Sequence, residues 1–210
     1  MFKKLLALEP ERKEAIINAG LTEFSSKNYD EASTNNIAKN AEMSKALMFH
    51  YVHSKRQFFI FLVDYSISII KEKFLDKIDY NERDLFNRLR ESNKFKLKVI
   101  KQYPLIFDFM RVALYSKQSQ EVAGEVELRK KKVEKEAFQR ALYENIDDSK
   151  FRKDIGPDKS KEMIYLFLEG YSRKIIDSEK LSIDKMNLEK LFRDFDEYLT
   201  HLEKLFYSKL

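Results

Sequence analysis

Apolar residues recur along this chain at spacings of three and four, the period of a helix face, and nowhere alternate long enough to suggest a strand. Ala15, Ile16, Ala19, Gly20 and Phe24 predict a first helix over 11–27, which Asn28-Tyr29-Asp30 interrupts. Ser33 and Ser44 are residue types that cap helix N-termini, and they predict two short helices, one running to Asn40 and one over 44–51. Ser54 caps a longer fourth helix reaching about 76, with Phe58, Leu62, Ile69 and Ile70 among its apolar positions. Beyond Asn81 the pattern lengthens into amphipathic helices over 83–101, 104–116, 119–144, 158–177 and 185–208, with Pro104 and Pro157 suited to opening turns. The expected fold is all-α, about nine helices, short ones at the front and longer ones behind.

Composition narrows the classes of function. With 43% apolar residues the chain of 210 can bury a core, while its four Gly, three Pro and absence of Cys exclude a collagen repeat, a disulfide scaffold and a thiol nucleophile. The longest apolar run, Phe58 to Val63, stops at Asp64 after six residues, where a membrane span needs about 20. No secretory leader is legible before Glu9, so we expect a soluble cytoplasmic protein without a membrane partner. Enzymatic chemistry is not expected, because the chain has neither a Gly-rich phosphate loop nor a serine motif with a paired histidine. His50 and His53 have a metal-binding spacing but lack a third ligand, so no metal and no cofactor are expected.

The informative stretch is 33–56. Ile37, Ala38 and Ala41 on the second helix and Met48 and Tyr51 on the third form two apolar faces about a tight turn, which is helix-turn-helix spacing. Ser44, Lys45, Leu47 and His50 would then point away from the core, as side chains entering a major groove must. Lys39, Lys45, Lys55 and Arg56 against Glu42 leave a local charge of +3, the sign that phosphate attracts.

These residues resemble the tetracycline-repressor (TetR) family of bacterial transcriptional regulators. Arg12, Ile16-Ile17-Asn18-Ala19 and Phe24 are similar to its first helix, Tyr29 to Ala38 to its second, and Ser44-Lys45-Ala46-Leu47-Met48-Phe49-His50-Tyr51-Val52-His53-Ser54-Lys55 to its recognition helix and the linking helix. The resemblance implies that Ser33, Thr34, Tyr51 and Lys55 hold phosphates, with Asn35 and Ser44 in the same DNA-binding set, and that Lys45, Ala46, Leu47 and His50 face bases or adjacent backbone. It implies a repressor that binds a pseudo-palindromic double-stranded DNA operator as a homodimer and is released by a small effector. Glu42 stands where the family usually has Gly, so either it adopts a left-handed backbone or the turn differs. A helical adaptor acting through protein contacts, without DNA binding, is the alternative.

The implied division is a DNA-binding domain over 1–56 and a larger effector-binding and dimerisation domain over 57–210. The helix over 158–177 is apolar on two sides, with Met163, Phe167 and Gly170 on one. The last helix carries Leu188, Phe192, Phe195, Leu199 and Leu202 in a stripe that would complete a four-helix contact between protomers. Phe107, Met110, Tyr115, Phe138, Phe167 and Tyr171 are the expected walls of a pocket for an unidentified, lipophilic small molecule. The basic stretches Arg88 to Lys101 and Arg129 to Lys135 are read as solvated helix faces.

Overall fold

Helix, capped and punctuated much as the residue pattern predicts, accounts for the architecture. The computed structural model describes residues 2–178 and 182–208, apart from the side chains at 138 and 176–178. The α-helices among the described residues are α1 (Lys3–Leu6), α2 (Pro10–Ser26), α3 (Thr34–Asn40), α4 (Lys45–Val52), α5 (Lys55–Lys73), α6 (Leu85–Gln102), α7 (Pro104–Tyr115), α8 (Gln120–Tyr143), α9 (Pro157–Ser178) and α10 (Leu188–Phe206). The expectation of about nine differs by α1, a single turn too short for periodicity to register, anchored by fully buried Leu5. Pro10 and Pro104 open their helices where a missing N–H costs nothing. Among the described residues no strand forms; Phe151 and Tyr207 make an isolated antiparallel bridge.

The chain divides into two compact units, Met1–Ile69 with Tyr103–Lys131, and Ile70–Gln102 with Lys132–Leu210. In the first unit α2 is the hub. Its Phe24 meets Phe59 edge-on at 5.0 Å between ring centroids, and Phe59 in turn meets Phe109 of α7 at 5.5 Å. Gly20 lets α2 approach α5: a Cβ there would lie 2.6 Å from the Phe58 ring and 2.8 Å from Leu62 Cδ1.

The core of the second unit gathers Leu85, Phe86 and Leu89 of α6, Leu142 of α8, Ile164 and Leu168 of α9, and Leu199 and Phe206 of α10. Arg88 is buried within this unit. Its guanidinium donates to the carbonyl oxygens of Tyr80 (3.1 Å) and Glu82 and to those of Ala141 (3.3 Å) and Glu144 (2.6 Å), which closes the C-terminal end of α8. The basic run over 88–101 is therefore only partly a solvated face.

Candidate functional site

The helix-turn-helix is built by local rules. Ser33 Oγ accepts from Asn36 N (3.4 Å) at the start of α3, and Ser44 Oγ accepts from Leu47 N (3.2 Å) at the start of α4. Between them the α3 C-terminus closes by two bonds, Met43 N to Ala38 O (3.0 Å) and Glu42 N to Lys39 O (3.0 Å). That closure requires a left-handed residue between the helices, and Glu42 takes the role at φ +52°. Of the two readings open at this position, the left-handed one holds. Ile37, Ala41, Met48 and Val52 are fully buried. Val52, rather than the half-buried Tyr51, joins Met48 on the inner face of α4, because a spacing of four lies closer to one helical turn than a spacing of three.

Two side chains from α2 hold the motif. Arg12 donates to the carbonyls of Ala41 and Glu42, both at 3.1 Å, and so pins the turn. Glu23 is buried on the apolar face of α2, where its Oε1 accepts from the Ser33 N–H (2.8 Å), from Lys27 Nζ (3.2 Å) and from Asn36 Nδ2 (3.4 Å). Burial pushes its pKa up, but the Ser33 N–H, Lys27 and Asn36 together outweigh that and hold the carboxyl below its ordinary value. Sequence reasoning passed over Glu23. The available signal was a carboxylate in line with Ile16 and Ala19, a charge on a stripe that is otherwise apolar.

The outer face of α4 carries Ser44, Lys45, Ala46, Leu47 and His50, all exposed, and Leu47 keeps 41% of its surface open to solvent. Asn35 is exposed at the start of α3 beside the half-buried Ser33 and Thr34. Lys4 Nζ of α1 donates to His50 Nε2 (3.2 Å). Lys55 Nζ donates to Asp30 O (3.2 Å) and lies 4.9 Å from the centre of the Tyr29 ring, so its ammonium is held in one place. Arg56 is withdrawn from this charge set, because it pairs with Glu125 and donates to Glu121 O (3.1 Å). His53, between α4 and α5, has φ +65° and ψ −66°, and Ser54 N closes the turn onto Val52 O at 2.9 Å. No cluster of three or more metal-ligating side chains occurs among the described residues.

The second unit contains a cavity of about 350 Å³ with walls from α6, α9, α10 and the segment after α5. Of the side chains expected to line a pocket, Tyr171 does so. Phe167 packs against the core of the same unit, Phe107, Met110 and Tyr115 belong to the first unit, and the Phe138 side chain lies outside the described residues. Of the side chains expected between protomers, Met163 and Gly170 are exposed, Leu188 and Leu199 are buried in their own unit, Phe167 and Leu202 pack against that core, and Phe192 and Phe195 line the cavity. No described helix is long and apolar enough to cross a membrane.

Residues 16–60 match the family model for bacterial regulatory proteins of the tetR family. No curated protein matches the chain in sequence. Among solved structures the chain is similar to a TetR family transcriptional regulator from Chloroflexus aurantiacus J-10-FL, with 17% identity over 99% of this chain and 98% of that one at a TM-score of 0.69. The ketosteroid transcriptional regulator KstR2 of Mycobacterium tuberculosis aligns over 96% of this chain and 97% of its own, with 15% identity and a TM-score of 0.65. AibR, solved in complex with isovaleryl coenzyme A and operator DNA, aligns over 89% and 97%, with 17% identity and a TM-score of 0.61. At these identities the likeness is one of fold.

Proposed function

We propose that this chain, a transcriptional regulator of the tetR family through its residues 16–60, is a repressor whose homodimer binds a pseudo-palindromic operator and leaves it when a small effector occupies the second unit. The observation that carries the reading is the division of α4. Met48 and Val52 are fully buried while Ser44, Lys45, Ala46, Leu47 and His50 stand out together, so a rigid helix offers a row of donors and apolar atoms at the spacing a major groove accepts. In this reading 1–56 is the DNA-binding domain and 57–210 the effector-binding and dimerising one. Ser33, Thr34, Tyr51 and Lys55 hold phosphates along its flank, with Asn35 in the same DNA-binding set. The tether of Lys55 to Asp30 lowers the entropy cost of placing that charge.

For the dimer, α9 and α10 supply the surface. Met163, Leu166, Tyr198 and Leu205 are large apolar side chains left exposed on these helices, and Gly170 among them leaves room for close approach. For the effector, the cavity of the second unit is the site. AibR was solved with both a coenzyme A thioester and operator DNA, which makes a two-ligand regulator a precedent within this fold. α5 is continuous from Lys55 to Lys73, and Phe74 just beyond it lines the cavity.

The test is selection of binding sites from random duplex DNA by the full-length protein. Recovery of a two-fold symmetric motif is the expected result, and recovery of none overturns the reading in favour of an adaptor. On the selected site Lys55→Ala should weaken binding to all sequences and lower the salt slope by about 1. Lys45→Ala or Leu47→Ala should change which sequences are preferred.

A further inference from the structure

Charged side chains on α6 sort by partner. Lys94 pairs with Glu91 (2.8 Å), Arg90 with Glu203 (2.6 Å), and Lys101 with Glu189. Lys96 and Lys98 have no hydrogen-bond or ion-pair partner among the described residues, and of the two Lys96 lines the cavity. Its place on the helix explains this. Leu89, Asn93, Lys96 and Ile100 follow one another at spacings of three and four, so Lys96 falls on the stripe of α6 that faces the cavity, and all four line it. By area Lys96 is an exposed residue, and its side chain forms part of the cavity lining. Crowding by the protein around its ammonium holds its pKa below the ordinary lysine value.

Among the described residues the rest of the wall supplies nothing to balance that charge. Phe74, Leu168, Phe192 and Phe195 give it an aromatic and aliphatic lining, and no Asp or Glu is among the described lining residues. Two of its polar groups have their donors engaged, Asn93 Nδ2 on Phe192 O (3.2 Å) and the Tyr171 hydroxyl on Leu191 O (3.3 Å). An unpaired cation in an apolar hollow is costly, and an anion entering the hollow relieves that cost. We propose that the cavity takes an aliphatic carboxylate, its chain against the apolar wall and its head group on the ammonium of Lys96. A single ammonium with no arginine fork beside it suits a monoanion better than a polyphosphate. The cavity volume of about 350 Å³ lies in the range of small-molecule sites. This assignment rests on the reading of the cavity as the effector site.

Calorimetric titration of the full-length protein with octanoate, decanoate and dodecanoate, each below its micelle-forming concentration, and with the alcohols of the same lengths, tests it. The carboxylate should bind about tenfold or more tightly than its alcohol. Lys96→Met should erase that preference while still binding the alcohol, Lys96→Arg should retain it, and Lys98→Met, which removes an exposed charge from the same helix, should leave it unchanged. Equal binding of carboxylate and alcohol, failure of every carboxylate to bind, or a preference that survives in Lys96→Met would overturn the assignment. Operator affinity, followed in parallel, separates the two claims. Carboxylates that bind through Lys96 and leave operator affinity unchanged uphold the assignment and sink the effector reading. Alcohols and carboxylates that weaken operator binding equally, in wild type and Lys96→Met alike, do the reverse.

Discussion

The guanidinium of Arg12 donates to the carbonyl oxygen of Glu42 at 3.1 Å, and Glu42 is the left-handed residue that turns α3 into α4. A side chain with a Cβ is strained there by about 1–2 kcal/mol, and the bonds from Arg12 to Glu42 and Ala41 hold the turn against it. Glu42→Gly should therefore raise stability by a net amount of about 0.5–1 kcal/mol, after the greater chain entropy that glycine loses on folding. Arg12→Ala should lower it by about 1 kcal/mol, with a smaller effect when combined with Glu42→Gly. Urea unfolding of the four proteins measures both.

Glu23 makes the recognition unit sensitive to acid. Its carboxyl titrates below its ordinary value in the folded protein, so the unfolded chain takes up a proton at higher pH than the native one. The stability it contributes is complete above the unfolded value of about 4.3 and is lost as pH falls through the lower folded value. Glu23→Gln should destabilise the protein at neutral pH by about 1–2 kcal/mol. The gap should narrow below pH of about 4, as thermal melts across that range would reveal.

Arg88 should prove structural. Arg88→Met leaves the carbonyls at the end of α8 without donors and should cost about 3 kcal/mol or more in chemical unfolding. Arg88→Lys should recover only part of this, since one ammonium cannot span carbonyls on both sides. The salt slope of operator binding should stay unchanged in either variant, which distinguishes a clamp from a phosphate contact.

Two glycines should respond oppositely to a methyl group. Gly20→Ala pushes a Cβ into the Phe58 ring at 2.6 Å and should destabilise the protein by about 1–3 kcal/mol. Gly170 has nothing within 4 Å in its own chain, so Gly170→Ala in mid-helix should stabilise the separate protomer by about 0.5–1 kcal/mol, with any gain offset in the dimer by the closer contact it obstructs. Gly170→Arg should convert a dimer into a monomer of 25.2 kDa, measured by light scattering at micromolar concentration.

How far the residue pattern reaches is clearest on two helices. In α4 the inner position of Met48 and the outer face of Ser44, Lys45, Leu47 and His50 were legible, because a short capped helix set against its neighbour by one tight turn is governed mostly by spacing, whereas the second inner position falls on Val52 and not on the expected Tyr51. In α6 the run from Arg88 to Lys101 reads as one basic surface, yet Arg88 is buried among carbonyls, Lys94 is paired at the exposed surface, and Lys96 lines a cavity. Which stripe of a helix turns inward depends on the helices that pack against it, and for α6 those come from 132–142 and from beyond 157. The same holds for the aromatics. Phe107, Met110 and Tyr115 read like pocket residues, but α7 packs with α2 in the first unit, while the cavity walls include Ser92, Lys96 and Ser172, which no hydrophobic pattern selects. Sequence by itself determined the helices, their caps and the recognition motif, since those rest on contacts within a few residues. Tertiary structure alone decided which charges are clamps, which lie at the surface and which face the cavity, since burial is a property of partners far apart along the chain.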